Sequence, residues 1–112
     1  MLFRSIAVDS RFSEFGAYQQ RMIEAISRQW NLLGSQYDLN TAVNTIVVIE
    51  YSIDKTGALA SISVLYSNST NTGRGLCEQS ILTTAPYGEW TREMISALGE
   101  QNQDVRITFH YR

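Results

Sequence analysis

The sequence predicts an α+β domain: a three-stranded antiparallel sheet in the order 2-1-3, with helices on one face, along the chain order α-β-β-α-α-β. Three observations predict it. Residues 10–33 carry apolar side chains at helical spacing. Residues 45–67 hold two runs rich in β-branched and aromatic residues, separated by Asp54-Lys55-Thr56-Gly57. Residues 103–112 alternate apolar and polar to the C-terminus.

Residues 1–9 read as an N-terminal tail, ahead of a single domain over 10–112. Met1-Leu2-Phe3-Arg4-Ser5 matches the translation, from a GTG start, of the end of a common sequencing adapter. That match predicts an assembly scar and a chain that continues upstream, against the plainer reading of an ordinary tail. The first ten residues lack the apolar core and the small-residue cleavage site of a signal peptide.

In the first helix Phe15, Tyr18, Met22, Ile26, Trp30 and Leu33 step by three or four, so they share one stripe, the expected core face. Ser10 or Ser13 can cap its start, and Gly34 suits the position just past its end. Residues 34–44 lack periodicity and read as a loop. In the next run Val47, Ile49, Tyr51 and Ile53 fall on one face, because side chains alternate along a strand. The Asp54-to-Gly57 turn makes this run and the next a hairpin. Leu59 and Ile62 are three apart, whereas Ile62, Val64 and Tyr66 are two apart. If Leu59 also faces the core, the alternation slips between them, which predicts a β-bulge.

Residues 68–75 read as a loop, with Thr72 as the expected cap of a helix over 74–84. Leu76, Cys77, Ile81 and Leu82 form that helix's apolar side, and Pro86 ends it. Thr91 is the expected cap of a short third helix that closes at Gly99, and Trp90 with Ile95 has the spacing of a hydrophobic staple. In the last strand Val105, Ile107, Phe109 and Tyr111 share one face and Arg106, Thr108, His110 and Arg112 the other. The first hairpin strand is the most apolar, which predicts that it is central and that the C-terminal strand is an edge. The expected core joins Val47, Ile49, Tyr51, Ile53, Ile62, Val64, Ile107 and Phe109 to Met22, Ile26, Trp30, Ile81 and Ile95.

The chain has 112 residues, 44% of them hydrophobic, and a net charge of -2, enough for one real core and no electrostatic case for nucleic acid. No apolar run approaches the roughly 20 residues a bilayer needs. One Cys and one His offer no metal-ligand cluster of the usual spacing, and no cofactor is expected. A Thr-Gly-Arg-Gly stretch at 72–75 lacks the lysine of a phosphate-binding loop and reads as plain loop. The six tyrosines are scattered over every element, which is core and rim usage. No pair of carboxylates has an arguable geometry. Glu50 reads as a solvated outer-face carboxylate and Asp54 as a turn residue.

With these elements in place the chain resembles the C-terminal domain of TonB and TolA. The resemblance covers residues 18–112. It rests on Ile-Ser-Arg-Gln-Trp closing the first helix and Val-Val-Ile-Glu-Tyr-Ser-Ile-Asp-Lys-Thr-Gly-Ala-Leu through the hairpin turn. Ser-Ile-Ser-Val-Leu-Tyr-Ser-Asn-Ser, Leu-Cys-Glu-Gln-Ser-Ile-Leu-Thr-Thr-Ala-Pro-Tyr and the closing Ile-Thr-Phe-His-Tyr follow in order. Two features depart from it. TolA-like domains often carry a cysteine pair where only Cys77 stands, and the membrane helix and spacer of such proteins are not in this sequence.

The resemblance implies a non-catalytic protein-binding module of envelope energy transduction or transport. It further implies a periplasmic location, tethered to an inner-membrane motor through upstream sequence, and a partner segment from an outer-membrane receptor or periplasmic protein. It places binding along the last strand, at Asp104, Val105, Arg106, Ile107, Thr108, Phe109, His110 and Tyr111. An edge strand offers unpaired N–H and C=O groups to an incoming segment, which is β-augmentation. The expected state is a monomer or weak dimer. Two alternatives stand beside it: a small thiol hydrolase using Cys77 with His110, and a stand-alone domain that self-associates through its sheet edge.

Overall fold

The computed structural model describes residues 4–10, 16–99 and 101–112. It is an α+β fold with a four-stranded antiparallel sheet and three helices. The elements are β1 (Arg4–Ser10), α1 (Gly16–Gly34), β2 (Thr45–Ile53), β3 (Leu59–Ser67), α2 (Asn71–Leu82), α3 (Arg92–Leu98) and β4 (Gln103–Tyr111). The sheet order is β1-β4-β2-β3.

The hairpin and the C-terminal strand lie as expected, with β2 between β3 and β4. The three-stranded sheet is corrected by a fourth strand. Residues 4–10, of which the sequence places 4–9 in a tail and Ser10 at the start of the first helix, run antiparallel along β4, from Arg4 opposite Tyr111 to Ser10 opposite Val105. The C-terminal strand is therefore not an edge. The edges are β1 and β3.

The apolar stripe of α1 packs on the sheet. Tyr18, Met22, Ile26 and Trp30 are buried, and Leu33 is partly buried against them. Phe15 and Ser13 lie outside the described residues, and Ser10 ends β1 instead of capping the helix. The helix runs through Gly34, because the Ser35 N–H still donates to the Asn31 carbonyl at 3.1 Å. Opposite this stripe stand Val47, Ile49, Tyr51 and Ile53 of β2 and Val105, Ile107, Phe109 and Tyr111 of β4, all buried. Within the expected loop, Leu39 and Ala42 are buried too, around a short 3-10 turn at Asn40–Ala42.

The slip in β3 is real. Ser52 pairs with Ser61 and Ile53 with Leu59, which leaves Ala60 as the extra residue. A second shift leaves out Leu65 between Val64 and Tyr66. It turns Tyr66 to the open face, opposite Val48, where the ring is 52% exposed. Tyr66 thus does not continue the face of Ile62 and Val64, which are half-buried because β3 is an edge.

One helix start moves. Thr70, not Thr72, caps α2, its hydroxyl accepting from the Gly73 N–H at 2.9 Å. The helix thus starts at Asn71 and absorbs most of the expected loop. Thr91 caps α3 as expected, accepting from the Met94 N–H, and Gly99 closes it. Met94 is the buried residue of that helix, whereas Ile95 is 38% exposed and does not join the core. Seven residues are too few to fix which flank faces inward by periodicity alone.

Candidate functional site

β4 presents its two faces unequally. Val105, Ile107, Phe109 and Tyr111 point into the core. Asp104 and Arg106 are exposed and Thr108 and His110 are half-buried on the face that no helix covers. Arg106 meets Glu50 of β2 there at 3.0 Å, so the outer-face Glu50 is ion-paired across the strands. Both side chains are a third to a half exposed, so the pair contributes little to stability.

The main-chain directions follow from one bond. The Asn68 N–H donates to the Ile46 carbonyl at 3.2 Å, so Ile46 faces β3. Alternation along β2 then turns Val47, Ile49 and Tyr51 toward β4, where they lie opposite Phe109, Ile107 and Val105. The N–H and C=O groups of Asp104, Arg106, Thr108 and His110 consequently face β1. The predicted binding strand is Asp104 to Tyr111, whose outward main-chain groups belong to these alternate residues, and in this fold the chain's own residues 4–10 lie along 105–111 of it. Thr108 stands opposite Ala7 and His110 opposite Ser5.

At the core end of β4, the Tyr111 hydroxyl is a junction. It donates to the Gly73 carbonyl at 2.6 Å, accepts from the Trp30 indole N–H at 3.1 Å and lies 3.5 Å from the Cys77 sulfur. Trp30 also stands edge-on to Phe109 and Tyr111, with ring centroids 4.9 and 5.1 Å away. Gly73 suits this site, since a Cβ there would lie 2.3 Å from the Ser69 hydroxyl and 3.3 Å from the Tyr111 ring. Cys77 is fully buried in this junction on the helix-covered side. His110 is on the opposite side of the sheet, paired in register with Ile46. The Cys77–His110 couple of the thiol-hydrolase alternative is therefore not brought together: consecutive residues of one strand point to opposite faces, and Tyr111 takes the inward one.

The far end of the hairpin is locked differently. Asp54 Oδ1 accepts from the Thr56 hydroxyl at 2.5 Å and from the Thr56 and Ala58 N–H groups. These bonds, the Thr56 hydroxyl first, hold its carboxyl below the ordinary value. The turn docks on the bend after α2, with Tyr87 N–H donating to Gly57 O and Trp90 N–H to Lys55 O, both at 2.9 Å. The Tyr18 hydroxyl of α1 donates to Gly88 O at 2.8 Å. Burial raises the Tyr51 phenol strongly and pushes Tyr87 up to about 12.

Among the described residues no group of three or more His, Cys, Asp or Glu could hold a metal ion, and no helix is long and apolar enough to cross a membrane. A shallow open groove of about 300 Å³ lies by Tyr37, Thr72, Gly75, Leu76, Glu78 and Gln79, and no residue of β4 lines it. The sequence reading missed β1 and the Tyr111 junction. Ile6-Ala7-Val8 is a short β-prone run that could have signalled β1; nothing local signals a junction whose members lie far apart in the chain.

What these features define is an antiparallel α+β domain whose C-terminal strand is paired along both edges. No protein-family model, curated protein or solved structure matches this chain.

Proposed function

We propose that this chain is a non-catalytic protein-binding module, similar to the TonB and TolA C-terminal domain, that captures an extended partner segment by strand addition on β4. The partner is a segment of an outer-membrane receptor or periplasmic protein. The module works in the periplasm, linked to an inner-membrane motor through upstream sequence. The observation that supports the binding mode is the outer edge of β4, which accepts an antiparallel strand along residues 105–111. Its Asp104, Arg106, Thr108 and His110 offer main-chain groups that any extended segment can use, and main-chain bonds of this kind supply affinity without a preformed pocket.

The test is a nuclear magnetic resonance titration of the isotope-labelled full chain with extended segments of outer-membrane receptors and periplasmic proteins. The expected result is amide shifts concentrated on 104–111, abolished by Thr108→Pro. That proline removes an N–H that faces β1 and leaves the β4–β2 ladder intact, so the domain should stay folded. Binding at full strength in folded Thr108→Pro, or shifts confined to another surface, overturns the strand-addition reading.

A further inference from the structure

β1 occupies the edge that a partner segment needs. Its register fixes seven pairs with β4, from Arg4–Tyr111 to Ser10–Val105. Beyond β4 it touches α1 only sparsely. Of its described side chains, Ile6 is partly buried against the core and Ala7 is exposed on the open face. Among the described contacts, what holds β1 is chiefly its ladder with β4, which an incoming antiparallel strand would reproduce bond for bond. Exchange of one strand for another on such an edge has little net cost in hydrogen bonding.

We infer that β1 is a built-in competitor for the β4 edge, and that it displays the pattern of the segment that replaces it. This rests on the strand-addition reading. The favoured segment is extended and antiparallel to β4. It carries a β-branched aliphatic residue where Ile6 stands opposite Phe109, and a small residue where Ala7 stands opposite Thr108. An aliphatic side chain at the first position fills the space beside the core, and the second position faces solvent. Because β1 is tethered, it acts at high effective concentration. A β1 docked for roughly nine-tenths of the time would weaken the apparent affinity of a partner about tenfold, since only the open fraction can bind.

The probe is a synthetic peptide Arg-Ser-Ile-Ala-Val-Asp-Ser, added to the labelled full chain. Ala7→Pro loosens β1, because the Ala7 N–H faces Thr108 in the ladder and proline removes it. Ile6→Ser loosens it independently by removing its core contact. Both positions lie outside the adapter-like first five residues. The expected result is that each variant binds the peptide at least tenfold tighter than the parent chain, with shifts along 104–111. Equal affinity for parent and variants, with shifts still on β4, overturns the competitor role and leaves strand addition standing. No peptide shifts on β4 in either folded variant overturns both. Should one variant unfold, the other carries the same comparison.

Discussion

The Trp30 indole N–H donates to the Tyr111 hydroxyl at 3.1 Å, joining residues 81 apart in the chain. The bond fastens the end of α1 to the last residue of β4. Because the same hydroxyl donates to Gly73 of α2, one oxygen ties three elements together.

Tyr111→Phe keeps the ring and removes the oxygen. The Gly73 carbonyl and the Trp30 N–H then each lose this partner in a buried site. The expected loss is about 1–3 kcal/mol, roughly 0.5–1.5 kcal/mol for each of the two hydrogen bonds removed. Urea denaturation measures it, and an unchanged midpoint would show that the hydroxyl does not hold the helices to the strand.

Ile49→Ala should cost about 2–5 kcal/mol, because Ile49 is fully buried in the centre of the sheet. Ile95→Ala should change stability by under about 1 kcal/mol, because Ile95 is substantially exposed. The contrast tests which flank of α3 faces inward. Equal losses in the two variants would return Ile95 to the core.

Gly57 has φ +81°, and a Cβ there would come within 2.3 Å of the Gly88 carbonyl oxygen. Gly57→Ala therefore combines left-handed strain of roughly 1–2 kcal/mol with a clash against backbone. The expected total exceeds about 2 kcal/mol. Amide exchange should quicken at Tyr87 and Trp90, whose N–H groups bond the turn.

Alkaline pH tests the tyrosine cluster. Burial moves Tyr87 from 10.0 up to about 12, with Tyr51 displaced in the same direction. Between pH 10 and 12 the folded chain retains protons that the unfolded chain has released. Stability is therefore full below pH 10 and falls as pH rises through this window, by at most about 1.4 kcal/mol per pH unit for each such phenol. Denaturation series across the window should show the slope, and Tyr87→Phe should make it shallower. A stability unaffected by pH in this range would show that these phenols titrate freely.

The sheet face was legible wherever the spacing reflects burial. Val47 to Ile53 and Val105 to Tyr111 alternate because one side of each strand is sealed by helices, and the three-residue step from Leu59 to Ile62 marks the bulge at Ala60. Spacing misled where burial is incomplete. Val64 and Tyr66 keep an apparent period of two across the bulge at Leu65, yet they point to opposite faces. The candidate edge was legible in its residues but not in its neighbour. Strand β1 pairs with the far end of the chain, and a pairing between the first and last elements leaves no local pattern to read.

The two bulges of β3 bear on how molecules of this kind meet. They fall at Ala60 and Leu65, on the strand that forms the sheet's other margin. Each interrupts the even rise of N–H and C=O groups that a second molecule would need in order to stack alongside. The opposite margin is β1, whose pairing with β4 runs without a shift in register. The two margins of the sheet are therefore unlike, and the uneven β3 side works against copies of the domain stacking into an open-ended fibre.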